Sequence, residues 1–378
     1  MNIGKSHLGP GERPYLIAEL GVNHDGSVDR ALELTEQVAK SGADAVKLQY
    51  FEADLLMGSA ARLAAYQAAA GESDPVEMLR RLELTLPEME RVIDAAHKHG
   101  IDAIVTVFSV DLVPDARKLG WDAFKTASPD IVHRPLLEEL LNDGRPLVVS
   151  TGASTMEEVR RAMRWLYRAH ERVAMLQCVS CYPVPRRQEG FDGILALLEE
   201  FWGPVGYSDH TAGLVAGFFA VLHGATIIEK HVTYNREARG PDHSASLEPH
   251  ELAHYRQGLD IAAEKIRENP KQWKIVSQDA DPAIWRFRGP PAKEVLPCEL
   301  DVRRVSRQSL TTVRALPEGH VLRQEDLTFK RPGIGIEPWR AEEAVGRRLV
   351  APVDADLPLM DEHLEPIAVP ARPATGAA

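Results

Sequence analysis

Between about residues 15 and 265 the chain alternates short apolar runs with amphipathic stretches eight times, and this repeat limits its fold more than any other feature. The runs at Tyr15–Glu19, Ala45–Gln49, Ala103–Phe108, Ala123–Thr126, Leu147–Ser150, Val173–Cys178, Val205–Ser208 and Thr226–His231 have strand length and strand composition. The stretches between them, such as Val28–Ser41, Pro87–His99, Asp111–Leu119, Thr155–Ala169 and Ala212–His223, carry helical periodicity, and the last helix spans about Pro249–Arg267. An extra stretch, Leu63–Leu84, lengthens the second crossover. Eight β units, each followed by a helix, predict a closed (β/α)8 TIM barrel over residues 1–269 rather than an open doubly wound sheet.

Side chains alternate along a strand, so residues two apart share a face. Glu19 therefore shares a face with Ile17, Lys47 with Gln49, Ser208 with His210, and Glu229 with His231. All lie at the C-terminal ends of their strands, where barrels assemble active sites. Thr106, Lys125, Ser128, Ser150, Ser180 and Tyr182 fall at the ends of the intervening strands. Lys230 has the opposite parity and is expected to face outward.

Beyond the last helix the pattern changes. Residues 270–301, with Trp273, Trp285 and Arg288-Gly289-Pro290-Pro291, read as a linker. Residues 302–364 hold short β-like pieces between turn signals and read as a small β domain, and residues 365–378, rich in Pro and Ala, as a disordered tail. The 44 Lys and Arg against 56 Asp and Glu give −12, which argues against a nucleic-acid or lipid-binding surface. The three cysteines, Cys178, Cys181 and Cys298, are too few for a disulfide scaffold. The start has no apolar leader and no window approaches a membrane span, so a cytoplasmic location is expected.

The candidate chemistry lies at the strand ends. Lys47 and Lys125 pointing into a barrel mouth need an anion or a carboxylate. They suit either a structural pair with Glu19 or a clamp on phosphate or carboxylate, aided by Thr106, Ser128, Ser150 and Ser208. A Schiff-base lysine is a third reading. His210 and His231, ending adjacent strands with Glu229 between them, suit either a hydrogen-bonded pair or a divalent-metal site. Cys178-x-x-Cys181 lacks a second pair and a helix N-terminus, so a structural role is expected. Asp25-Gly26-Ser27 reads as a turn and helix cap. Asp242 and His243 lie on a loop above the mouth. Lys330-Arg331-Pro332-Gly333 alone would be a solvated basic turn.

In order and spacing, several segments resemble the N-acetylneuraminate (sialic acid) synthase family. They are Ala18-Glu19-Leu20-Gly21-Val22-Asn23-His24-Asp25-Gly26-Ser27, Val46-Lys47-Leu48-Gln49, Ser150-Thr151-Gly152, Gly206-Tyr207-Ser208-Asp209-His210-Thr211, Ile228-Glu229-Lys230-His231, Gly240-Pro241-Asp242-His243 and Lys330-Arg331-Pro332-Gly333. The resemblance covers residues 13 to 364 and implies a barrel followed by an antifreeze-like (SAF) domain. It implies condensation of phosphoenolpyruvate (PEP) with an open-chain N-acyl amino sugar, N-acetylmannosamine or a close analogue, to a nonulosonic acid and phosphate. Legionaminic, pseudaminic and spore-coat polysaccharide synthesis are the alternatives within the family; a Schiff-base lyase and a non-catalytic sugar-binding protein are the alternatives outside it. Lys47, Thr106, Lys125, Ser128, Ser150, Ser180 and Ser208 would hold PEP. His210 and His231 would ligate a divalent metal, Mn²⁺ first, with Mg²⁺ or Co²⁺ as substitutes. Glu19, Gln49, Asp130, Tyr182 and Asp242 would address the sugar or the attacking water, with Glu229 beside them. Arg331 would enter the partner's barrel in a domain-swapped homodimer. Val107, Pro129-Asp130 and Ser180 depart from the family's usual residues and bear on which sugar is used.

Overall fold

The computed structural model of the chain describes residues 1–268 and 293–366. Eight parallel strands close into a barrel. They are β1 (Tyr15–Gly21), β2 (Ala45–Tyr50), β3 (Asp102–Val107), β4 (Ala123–Thr126), β5 (Leu147–Ser150), β6 (Val173–Cys178), β7 (Val205–Asp209) and β8 (Ile227–His231). Closure is completed by β8 on β1, with His231 opposite Glu19. The outer helices are α1 (Val28–Lys40), α2 (Leu86–Lys98), α3 (Val113–Ala116), α4 (Arg134–Asn142), α5 (Met156–Leu166), α6 (Asp192–Glu200), α7 (Ala216–Leu222) and α8 (Pro249–Glu268).

The barrel interior fills from the bottom. Ile17, Ala45, Ile104, Ala123, Val148, Leu176 and Ile227 pack there, and a short N-terminal hairpin (Asn2–Ile3 with Ser6–His7) seals the floor with Ile3 and Leu8. Only the C-terminal mouth is left for polar groups. A second apolar layer lies between the strands' outer faces and the helices. Lys230 does face outward, but into that layer rather than solvent: it is fully buried with Asp209 at 3.2 Å. At α1 the turn and cap form as expected, Asp25 and Gly26 having positive φ and Ser27 accepting from the Arg30 N–H.

Two helices are shorter than their periodicity suggests. Ala212–His223 contributes only α7, from Ala216. The stretch Asp111–Leu119 contributes only α3, after a 3₁₀ turn at Val110–Leu112. Pro114 has no N–H to bond back into that turn, so the helix starts late. The lengthened second crossover forms short helices at Ala53–Leu56, Ala65–Ala69 and Pro75–Arg80, which stand over the mouth.

The small domain is built around an antiparallel pair, β9 (Ser309–Thr312) and β10 (Leu327–Lys330), with isolated bridges such as Leu316↔Val353 and a core of Leu310, Leu316, Leu322, Leu349 and Leu359. Residues 293–301 differ from the expected linker. They form a 3₁₀ turn at Pro297–Glu299 and the start of α9 (Leu300–Ser306), with Lys293 and Glu299 buried. Trp273, Trp285, residues 288–291 and the tail from 367 lie outside the described residues. Among the described residues no helix is long and apolar enough to cross a membrane.

One carboxylate ties this post-barrel segment to the barrel. Glu158 closes the capping box of α5, accepting from the Thr155 N–H, and also meets Arg303 at 2.8 Å and Arg307 at 2.7 Å. Burial pushes its carboxyl up, but the two guanidiniums outweigh that and hold it well below the usual range. Glu158→Gln leaves two arginines facing a neutral amide, so it should cost about 3 kcal/mol in chemical denaturation at neutral pH. A depressed folded-state pKa contributes stability above the unfolded value that is lost on acidification. The gap between wild type and variant should therefore narrow as pH falls below about 4, and a gap constant with pH would refute this account.

Candidate active site

Strand parity delivers the mouth as the sequence suggests. Glu19, Lys47, Gln49, Thr106, Lys125, Ser150, Ser208, His210, Glu229 and His231 line one cavity from the strand ends, joined from loops by Ser128, Ser180, Tyr182, Asp242 and Arg331. Asp130 does not line it. It is buried behind the cavity, accepting from the Ala127 N–H and the Gln308 amide, so its bearing on a ligand would run through Arg331. Burial pushes the Asp130 carboxyl up to about 7, against the pull of Arg331. His243 also turns away from the cavity, toward Thr233 at 2.7 Å and Asp25 at 3.0 Å.

At the base of the cavity four buried charges interlock. Lys47 Nζ lies 2.8 Å from Glu19 and 3.8 Å from Glu229, and Lys125 Nζ lies 3.6 Å from Glu229. Lys47 also donates to Thr106 at 2.7 Å, Lys125 to Ser150 at 2.5 Å, and Ser208 to Glu229 at 2.8 Å. The structural pair and the anion clamp are thus the same residues. Burial works against every one of these charges. It raises Glu19 despite Lys47, and it lowers Lys125 despite Glu229. Lys47 ends up raised because Glu19 and Glu229 outweigh burial, and Lys125 and Lys47 similarly draw Glu229 down to about 2. Lys125, held by the Ser150 hydroxyl, the Thr126 carbonyl and a more distant carboxylate, is the cation an incoming anion would satisfy most.

His210 and His231 face each other with ring centroids 5.5 Å apart. His210 Nδ1 donates to the Val179 carbonyl at 2.8 Å, which leaves the Nε2 lone pair turned toward the cavity. His231 Nδ1 has no hydrogen-bond partner, with Asp242 at 3.7 Å. Burial and the neighbouring His210 hold His231 well below its ordinary pKa, hence neutral. Among the described residues no group of three or more His, Cys, Asp or Glu is arranged around a metal. An ion held by these two imidazoles would have to take its remaining ligands from water or substrate. Glu229 is engaged with the lysines and Ser208 instead.

Above this polar floor the wall is apolar. Val22, Phe51, Leu56, Met78, Leu79, Leu82 and Phe108 line it, mostly from the second crossover. Tyr66 packs on Tyr182 at 5.0 Å and Tyr182 on His210 at 4.1 Å. The Arg331 guanidinium lies 5.4 Å from the Phe108 ring centroid. Its backbone bridges to the crossover, Arg331 N–H to Leu56 and Gly58 N–H to Arg331, both 2.9 Å. In the single chain Arg331 thus enters the mouth of its own barrel, where the resemblance implied the partner's.

Sequence reasoning missed Tyr66 and Gln67, which line the cavity, and Cys178, whose thiol lies 3.5 Å from His210. Inward parity with Leu176 at the end of β6 was the available signal for Cys178. For Tyr66 and Gln67, on an excursion without period, there was none.

The NeuB family matches residues 34–271, and the SAF domain matches residues 307–365. The N,N'-diacetyllegionaminic acid synthase of Legionella pneumophila is 34% identical over 358 residues, 93% of this chain and 94% of that one. The enzyme of the same name from Campylobacter jejuni is 32% identical over 341 residues, 89% and 96% of the two chains. The crystal structure of the spore coat polysaccharide biosynthesis protein SpsE from Bacillus subtilis matches with a TM-score of 0.80 at 25% identity, covering 97% of this chain and 99% of that one.

The cation at Lys125 makes anion binding depend on pH. Burial lowers its amine from 10.5 despite Glu229, so it loses its proton at lower pH than an ordinary lysine. Affinity for inorganic phosphate or PEP should fall as pH rises, and fall at lower pH than an ordinary lysine would allow. Calorimetric titration of wild type and Lys125→Arg should show the alkaline decline in the first and its displacement to higher pH in the second. Overlapping profiles would remove Lys125 from the anion site.

Proposed function

Because the chain belongs to the NeuB family, we propose that it condenses PEP with an N-acyl amino sugar to give a nonulosonic acid and phosphate. The observation that carries this reading is the junction of two half-sites in one mouth. A lysine–hydroxyl cradle lies beside a buried carboxylate and the imidazoles of His210 and His231, beneath an apolar wall.

PEP brings about three negative charges, which Lys47 and Lys125 offset and which Thr106, Ser128, Ser150, Ser180 and Ser208 can receive as hydrogen-bond donors. His210 and His231 would hold the divalent ion, Mn²⁺ in our reading, whose chemistry is to polarise the aldehyde oxygen of the acceptor. The methylene carbon of PEP attacks the aldehyde carbon, the carbonyl π electrons going to oxygen, and positive charge develops at PEP C2. Water adds at C2. Glu19 suits the role of accepting that water's proton, since burial already raises its proton affinity. Cleavage of the C2–O bond then expels phosphate and leaves the 2-keto acid. No lysine need become covalently attached.

The acceptor is N-acetylmannosamine or a close analogue. The apolar wall favours the analogue class carrying two acylamino groups and a deoxy C6, because its methyl groups bury without cost against Met78, Leu79 and Leu82. The two relatives named for diacetyllegionaminic acid support the same class. In the same reading the enzyme is a homodimer.

Phosphate release from PEP with Mn²⁺ tests this across N-acetylmannosamine, its 6-phosphate and 2,4-diacetamido-2,4,6-trideoxyhexoses. Release should require an acceptor and be fastest with a diacetamido sugar. Chelator should abolish it and Mn²⁺ restore it. Release indifferent to every acceptor, or to chelator, would sink the corresponding part of the proposal. A mixture of inactive Arg331→Ala and inactive His210→Ala protomers, after verified exchange, reads which barrel Arg331 serves. Recovered activity requires action across the dimer. Continued inactivity matches the arrangement within one chain.

A further inference from the structure

Glu299 belongs to no strand end and to neither half-site, yet it is 1% exposed and its charge is spent on the barrel. Its Oε1 accepts two backbone N–H bonds, from Ala153 and from Ser180, both 2.7 Å. Its Oε2 accepts the Leu296 N–H at 2.8 Å, which closes its own 3₁₀ turn. Ala153 follows β5 and Ser180 follows β6, so a single oxygen sets the distance between two neighbouring loops.

The Ala153 turn is held on both sides. Ala153 has φ +50°, a left-handed conformation that a non-glycine residue adopts at a cost. Glu299 takes its N–H, while Arg303 and Arg307 donate to its carbonyl at 2.6 and 3.3 Å. This fixes the adjacent Gly152, whose N–H donates to Ser128 Oγ at 3.0 Å. A Cβ on Gly152 would fall 2.2 Å from Ser180 Oγ and 2.7 Å from Ser128 Oγ, so the turn backs directly onto both hydroxyls. Ser180 Oγ is buried, has no hydrogen-bond partner, and belongs to a residue lining the cavity.

We infer that Glu299 is a positioning residue for the anion end of the site: it locks the β5 and β6 loops so that the Ser128 and Ser180 hydroxyls converge on an oxyanion of PEP. The inference rests on the PEP reading above. Charge-assisted bonds from two backbone amides to one buried oxygen suit such a spacer. Loss of either amide's partner would also free the strained Ala153 turn.

Calorimetric binding of PEP, and of inorganic phosphate as a minimal anion, to the full chain separates this role from a merely structural one. Glu299→Ala should weaken PEP at least tenfold and raise its KM correspondingly, while the KM of the acceptor changes less than twofold. Glu299→Gln keeps the volume and one acceptor oxygen but turns an amide N–H₂ onto a backbone donor. It should still fold with a cooperative but lowered melting transition and lose three- to tenfold in PEP affinity, so it tests the inference even where the alanine variant does not fold. Wild-type PEP affinity in folded Glu299→Gln and Glu299→Ala, or equal losses for PEP and acceptor, would overturn the positioning role alone. Wild type that binds neither PEP nor phosphate would overturn the PEP reading and this inference with it.

Discussion

Four buried charges, Glu19, Lys47, Lys125 and Glu229, govern the rest of the molecule. None could be removed alone without leaving its partner uncompensated in a dry barrel, a loss usually worth several kcal/mol. The group is close to neutral, so an arriving trianion upsets it. Added negative charge beside Glu19 raises its proton affinity further. In the proposed reaction, substrate binding would thus prime the carboxylate assigned to accept the water's proton. The histidine pair escapes this competition because Glu229 is already satisfied by the lysines and Ser208.

The roof is assembled differently. The second crossover and the small domain meet over the mouth through backbone bonds at Leu56, Gly58 and Arg331. Arg331 then lies over the Phe108 ring, where burial lowers its pKa despite Asp130. On the opposite side of the same domain boundary, Glu158 and Glu299 bind the post-barrel segment to the β5 and β6 loops. Two separate attachments therefore connect the small domain to the site, one at its acceptor end and one at its anion end.

The barrel and the polar floor were legible in the sequence because both follow from a period. Alternation along a strand fixes which side chains face inward, and strand ends fix their height, so Glu19, Lys47, Gln49, Ser208, His210, Glu229 and His231 could be named without contacts. Asp130, which the resemblance rather than parity named, stands past the end of β4 in a 3₁₀ turn and does not line the cavity. Glu299 was hidden inside what read as linker, since composition says nothing about which carboxylate meets which backbone amide. Pro114 shows that a single missing N–H can shorten a helix whose apolar spacing continues.

The second crossover supplies most of the apolar wall and none of the charged floor. In the proposed reading, recognition of the sugar and activation of PEP would thereby fall to different stretches of the chain. An altered acceptor preference can arise by changing residues 51–84 and the turn around Arg331, with strand register and ion pairs left intact. The barrel in effect offers a fixed enolpyruvyl donor site to an exchangeable sugar-reading insert, and grafting that insert between relatives becomes a matter of loop surgery rather than of refolding a core.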